Sequence, residues 1–158
     1  MAFPWLREPW LRLVASAEAG RLAHAYYLQH NVEGGSTEFI QRLNQFLLCK
    51  QPGKSACGKC KSCLLYLSGN HPDTWTIDGA QVNRIGVDTV RELQQNVTQT
   101  ANQNGLKVAV ILEAEKMTEQ AGNALLKVLE EPPADTHWLV STKDAERLLP
   151  TLRSRMQW

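Results

Sequence analysis

The sequence has no apolar run approaching the ~18 residues a membrane span requires. It has no surplus of one charge either: 17 basic residues stand against 16 acidic ones, for a net charge of +1. That balance excludes a nucleic-acid binder working through bulk positive charge, and it excludes an acidic disordered tail. Internal repeats and low-complexity segments are missing. Met1 to Val14 is interrupted by Pro4, Arg7, Glu8, Pro9 and Arg12, so it lacks the continuous apolar core of an export signal. Together these absences predict a cytoplasmic globular domain. A chain of 158 residues is about one domain, long enough for a single core without staples.

Cysteine is missing everywhere except in one short window, where Cys49, Cys57, Cys60 and Cys63 are spaced C-x7-C-x2-C-x2-C. Two disulfides would have to crowd into one loop of a chain with no export signal. Free buried thiols are a second alternative. A structural zinc ion is the simplest reading, because four thiolates on a tight turn supply its tetrahedral shell at roughly 2.3 Å. Gly58, inside the first C-x2-C, lets the backbone turn closely. Such a site has no open position for water, so it is structural and not catalytic. Acidic residues are also missing, from Phe39 to Pro72, while Arg42, Lys50, Lys54, Lys59 and Lys61 lie in that stretch. Those five positive charges, less the −2 of four thiolates and one Zn2+, leave about +3. Solvated lysines around an anionic centre account for this; a nucleic-acid contact is the sharper alternative.

Elsewhere the hydrophobic spacing alternates between two periods. Helices are predicted over 5–19, 38–49 and 119–130, and one begins at Asp88 as N-cap. A short helical turn spans 63–67. Strands are predicted over 25–29, 75–77, 107–112 and 138–141, and a last element starts near 150. Thr118 caps the helix that Pro132 and Pro133 end. The run Lys107 to Leu112 (KVAVIL) reads as a central parallel strand. Alternating strands and helices predict an α/β fold with a parallel sheet flanked by helices. Ligands of such sheets bind beyond the carboxyl ends of the strands, here the loops after Gln29, Leu112 and Ser141.

The first of those loops has the layout of a phosphate loop without its working parts. A functional loop reads G-x-x-x-x-G-K-[ST], with the lysine on the β- and γ-phosphates and the hydroxyl on Mg2+. In this register Gly35 and Thr37 fit, but His30 replaces the first glycine and Ser36 the lysine. Glu33 adds a carboxylate where a triphosphate would lie, a repulsion of several kcal/mol in a partly desolvated loop, on the order given by Coulomb's law. A generic strand-to-helix turn is the bland reading of this loop alone. After Val108 to Ile111, however, Leu112 stands where a Walker B strand carries its metal-binding aspartate, with Glu113 next. An apolar Leu112 cannot coordinate Mg2+. Two independent losses fall on one function, and a degenerate nucleotide site explains both.

Several segments carry a family resemblance. Asn123 to Pro133 (NALLKVLEEPP) closely resembles a signature of bacterial clamp-loader subunits of the AAA+ class. Ser154-Arg155-Met156 resembles their S-R-C motif, with Met156 in place of cysteine. Leu22 to Tyr26, the His71-Pro72-Asp73 turn and the cysteine module fit as well. Pro4 to Arg7 and the lost Walker residues resemble the branch that does not hydrolyse ATP. The resemblance implies a P-loop/AAA+ (RecA-like) domain over residues 1–158, with the zinc module at 49–63 as an insertion and the family's lid and collar domains lying outside this chain.

It also implies a role in DNA replication within the DNA polymerase III holoenzyme, a DNA-directed DNA polymerase. The partners would be the gamma/tau and delta subunits and, through them, the sliding clamp and primed DNA, with no membrane. Zn2+ is the expected cofactor and no ATP is expected, nor catalysis by this chain itself. Arg155, supported by Ser154, would act in trans as an arginine finger, since a guanidinium fork suits phosphate oxygens; helix capping is its bland role. Two other functions stay open: an active ATPase with an atypical loop, and a zinc-dependent nucleic-acid module on an inert scaffold. Lys127, Glu130 and Glu131 read as a solvated face or a subunit contact, His24 and His71 as structural hydrogen-bonders, and Trp5 and Trp10 as core.

Overall fold

The computed structural model describes residues 7–19, 25–29, 36–49, 56–69, 71–79, 84–98, 107–130 and 136–142. In chain order the elements are α1 (Arg7–Glu18), β1 (Ala25–Gln29), α2 (Ser36–Leu48), α3 (Lys61–Leu67), β2 (Thr74–Asp78), α4 (Val87–Thr98), β3 (Lys107–Leu112), α5 (Glu119–Glu130) and β4 (Thr136–Thr142). A short 3₁₀ turn, Ala114–Lys116, follows β3. The four strands form one parallel sheet in the order β1-β4-β3-β2.

The sequence alternation explains which face each strand residue covers. On one face, one row runs Ala25, Trp138, Ala109, Trp75 across neighbouring strands. Small residues flank the fully buried Trp138 indole, so its bulk is accommodated beside two methyl groups. That face packs against Val90, Leu93 and Val97 of α4 and Leu125 and Leu129 of α5. The other face, with Val108, Val110 and Leu139, packs against Trp10 and Val14 of α1 and Phe39, Leu43 and Phe46 of α2. Trp10 stands edge-on to Phe39 and Phe46 at 5.9 and 5.5 Å between centroids. β3 is covered on both faces, which is why it reads as a continuous apolar run.

Several boundaries differ from the sequence reading. α2 starts at Ser36 and not Glu38, and the second strand extends to Thr74 and Asp78. Asp88 is not the N-cap of α4. The Val90 amide donates to the Gly86 carbonyl (3.4 Å), so the helix begins at Val87, with Gly86 two residues before Asp88 in the cap position. Asp88 then lies inside the first turn, where its charge meets the helix's positive end. Thr118 caps α5 as expected, its hydroxyl accepting the Ala121 amide at 3.1 Å. The Pro132-Pro133 stop and the element near 150 lie outside the described residues.

The strand connections place the site. β1 leads to α2 on one face, whereas β3 leads to α5 on the other. The connections after β1 and β3 therefore leave on opposite faces with β4 between them, and ligands of parallel sheets bind beyond the carboxyl ends at such a reversal.

Candidate functional site

At the carboxyl edge of the sheet, Ser36 and Thr37 open α2, while His30, Glu33 and Gly35 lie outside the described residues, as do Ser154 and Arg155. Leu112 ends β3, and its side chain packs on the α1/α2 side of the core. The side chain at the metal-ligand position is thus engaged in apolar packing.

Glu113 follows with a left-handed backbone (φ 57°, ψ 53°). A non-glycine residue holds this conformation at a cost of about 1–3 kcal/mol and only where its surroundings impose it. Here they do. Its amide donates to Ser141 Oγ at 3.3 Å, and its carbonyl accepts the Lys116 amide at 3.0 Å. Its side chain is 4% exposed and forms an ion pair with Lys116 Nζ at 3.1 Å. The same ammonium donates to the Gly79 carbonyl at 2.6 Å. The Ile85 amide donates to the Lys116 carbonyl (2.9 Å) and the Thr118 amide to that of Ile85 (2.9 Å), tying the loop before α4 to the loop after β3. Lys116 therefore joins the ends of β2 and β3 and the start of α4.

Gly79 is required here by space. A Cβ on it would stand 2.5 Å from the Leu112 carbonyl oxygen and 2.8 Å from Glu113 Cβ. Nearby, Thr142 Oγ1 donates to Glu115 Oε2 at 3.1 Å. Chemically, the arrangement binds its own carboxylate with its own ammonium. The Glu113 carboxylate is buried and paired with that ammonium.

Sequence reasoning named Leu112 and Glu113, placed Ser141 only as a strand end, and missed Gly79, Lys116 and Thr142. The available signal was local: a lysine three residues after a glutamate in a loop closing a buried strand.

The second cluster is the cysteine module. Cys49 follows α2, and Cys57, Cys60 and Cys63 wrap around the start of α3. The four sulfurs all lie within 4.8 Å of one another. Cys57 and Cys63 are 3.9 Å apart, as are Cys49 and Cys60. A tetrahedral shell at roughly 2.3 Å has edges of about 3.8 Å, so these separations suit a shared metal ion. Backbone amides point at the sulfurs: Cys57 N to Cys49 at 3.3 Å, Lys59 N and Cys60 N to Cys57 at 3.4 and 3.2 Å, and Cys63 N to Cys60 at 3.4 Å. Gly58 makes the knuckle possible with φ 73°. The Lys59 amide, and then the Cys60 amide, hold the Cys57 thiol below its ordinary range, with a lesser lowering from Cys49; burial and Cys60 oppose them. Such a thiol is prepared to ligate as thiolate.

His71 is buried, and its Nδ1 accepts the Asp73 amide at 3.0 Å, the structural role expected of it. Lys127 and Glu130 are exposed on α5. Among the described residues no helix is long and apolar enough to cross a membrane.

A family model described as DNA polymerase III, delta subunit, matches residues 6–158. The chain is 44% identical over 155 residues to DNA polymerase III subunit delta' of Escherichia coli (strain K12), covering 97% of this chain and 46% of that protein. It is 41% identical to the Yersinia pestis subunit delta' over the same shares. The chain thus spans about half the length of these curated relatives. A crystal structure of a gamma subunit-related protein of DNA polymerase III from Thermotoga maritima matches with a TM-score of 0.62 at 22% identity, over 94% of this chain and 43% of that one. That likeness shows a shared fold, in accord with the parallel AAA+-type sheet expected from sequence.

Proposed function

The chain belongs to the DNA polymerase III delta subunit family, and we propose that it forms the N-terminal AAA+ domain of a delta'-type clamp-loader subunit, spanning residues 1–158 and working in the cytoplasm. In this role it acts as a stator. It binds no ATP, hydrolyses none, and joins gamma/tau and delta subunits in placing the sliding clamp on primed DNA. Arg155, beside Ser154, reaches the nucleotide held by a neighbouring subunit.

One observation supports the silent site above all. The end of β3 offers Leu112 where a metal ligand is needed, and the carboxylate after it is paired with Lys116 at 3.1 Å. Ser36 in place of the phosphate-loop lysine and Glu33 in the same loop act in the same sense. A domain with these residues contributes to hydrolysis only by what it lends a neighbour. An arginine supplied in trans can accelerate a neighbour's site by about 10³–10⁵.

The test is a loader reconstituted with Arg155→Ala in the intact subunit. The turnover of the adjoining site should fall by about 10³ or more, with clamp loading impaired in step. Unchanged rates remove the finger role. Calorimetry of the isolated subunit with millimolar ATP should show no heat; micromolar binding would restore the ATPase alternative.

The metal is assigned as structural Zn2+ on Cys49, Cys57, Cys60 and Cys63. An all-thiolate tetrahedral set selects zinc or an iron–sulfur centre, and four protein ligands leave no coordination site for chemistry. Metal analysis should return about one zinc per chain, and Cys60→Ser should release it.

A further inference from the structure

The outer side of α3 is used neither by the core nor by the knuckle. Ser62 and Cys63 turn inward and are buried. At 100° per residue, Lys61, Leu64, Leu67 and Ser68 share the opposite arc of roughly 120°, and all four are exposed. Leu64 is 57% and Leu67 63% exposed, the two most exposed large apolar side chains among the described residues. Exposed leucines three residues apart on a short helix form an apolar stripe with no partner among the described residues.

Beside Leu67 opens a cavity of about 650 Å³, a size that accepts a side chain or a short peptide segment. Its apolar lining includes Ile40, Val110 and Leu112, and Tyr66 stands at its flank. The Tyr66 hydroxyl donates to the Gln41 carbonyl at 3.0 Å, which fixes the ring. The Glu38 carboxylate at the rim is already paired with Arg42 at 2.9 Å. Lys59 and Lys61 are exposed at the α3 end, and no acidic residue occurs in the sequence from Phe39 to Pro72.

We propose that this face is a docking site for an acidic, apolar-anchored segment of another protein. A leucine or phenylalanine of that segment enters the cavity over Leu67, and its carboxylates face Lys59 and Lys61. Charge complementarity selects the occupant: the exposed Lys59 and Lys61, with the Glu38 carboxylate at the cavity already neutralised by Arg42, favour an acidic chain and repel a basic one. The leucines select protein over nucleic acid. Aliphatic side chains offer no stacking platform for bases, and of the two aromatic rings at the cavity Tyr66 is half-buried and tied through its hydroxyl while His71 is buried. The inference is independent of the arginine role.

The experiment uses the intact, zinc-loaded subunit and fluorescence anisotropy. The probe is a labelled amphipathic peptide of Asp/Glu and Leu/Phe residues. Its controls are the same peptide with Lys for the acids, the same peptide with Ser for the apolar residues, and single-stranded oligo-dT. The acidic amphipathic peptide should bind saturably, and each control at least tenfold more weakly. The double variants Leu64→Glu/Leu67→Glu and Lys59→Glu/Lys61→Glu, all at exposed positions, should each weaken it at least tenfold with unchanged circular dichroism. The lysine-reversed variant should gain affinity for the Lys peptide. Absence of binding, equal binding of all peptides, or indifference to the variants would overturn the proposal. So would stronger binding of oligo-dT. Protection of Leu64 and Leu67 from hydroxyl-radical labelling in the intact subunit alone would also overturn it, assigning the face to the subunit's own remaining chain.

Discussion

The carboxyl edge of the sheet and the cysteine module solve opposite problems. At the sheet edge, a fold suited to a charged ligand holds its own counter-charge: Lys116 meets Glu113 and the Gly79 carbonyl, and the strained Glu113 backbone is fixed by Ser141. In the module, α3 buries only Ser62 and Cys63, displays leucines outward, and adjoins four sulfurs gathered around a common centre. One region is complete without a ligand. The other has four sulfurs placed to be completed by one. The contrast teaches that a sheet edge without a metal-ligand side chain need not leave a hole, because Glu113 and Lys116 of the loop after β3, Ser141 near the end of β4 and the Gly79 carbonyl meet one another there.

The largest expected effect tests the dependent region. Structural zinc in small peptides binds with an apparent free energy of about 10–16 kcal/mol at neutral pH, far beyond what a seven-residue helix retains alone. Chelation, or Cys60→Ser, should abolish most hydrogen-exchange protection of the Lys61–Leu67 amides while those of β3 and β4 keep theirs. Protection of α3 that survives metal removal would erase the distinction between the two regions.

The self-sufficient region is tested next. Lys116→Met leaves the Glu113 carboxylate buried without its cation. The loss should be about 3 kcal/mol, the low end for breaking a buried pair, because Lys116 is itself partly exposed. Urea unfolding measures it. Adding Glu113→Gln should recover most of the loss, since no charge is then stranded. If Lys116→Met is neutral, the ammonium does not hold the edge.

A smaller effect is expected from Gly79→Ala. Its methyl would lie 2.5 Å from the Leu112 carbonyl oxygen. Backbone cannot rotate away as a side chain can, so the strand ends must separate, at about 1–3 kcal/mol. A variant as stable as the parent in urea would show that the β2 end moves freely past β3, against the rigid edge argued above.

How far these regions are legible in sequence follows from the range of the forces. KVAVIL announced β3 because burial on both faces demands an unbroken apolar run. Thr118 announced α5 because a cap acts over three residues. The cysteines announced their cluster because ligand spacing is local. Lys116 did not announce its contact with Gly79: they are 37 residues apart in sequence and meet only because β2 and β3 pair in register. The packing of Leu112 into the core was likewise invisible, although its inability to bind a metal was plain. Asp88 misled because its type suits a cap, while Gly86 already occupied that place.

The smallest effect separates the regions by pH. The amides of Lys59 and Cys60 lower the Cys57 thiol below its ordinary value of about 8.5 in the folded module. A thiol that ionises more readily when folded favours folding above the unfolded value, and that contribution disappears as the pH falls through the folded value. In metal-free protein the residual protection of α3 should therefore be greatest at alkaline pH and decline on acidification, after correction for intrinsic exchange. Cys57→Ser should flatten the dependence. With zinc present the sense is the same, because protons compete with the metal for thiolates. The β3 and β4 amides contain no such thiol and should show no parallel slope. A slope of opposite sign in α3, or one that survives Cys57→Ser, would mean that the amide–sulfur contacts do not tune this thiol, and that the knuckle owes its shape to the chain and not to the charge it gathers.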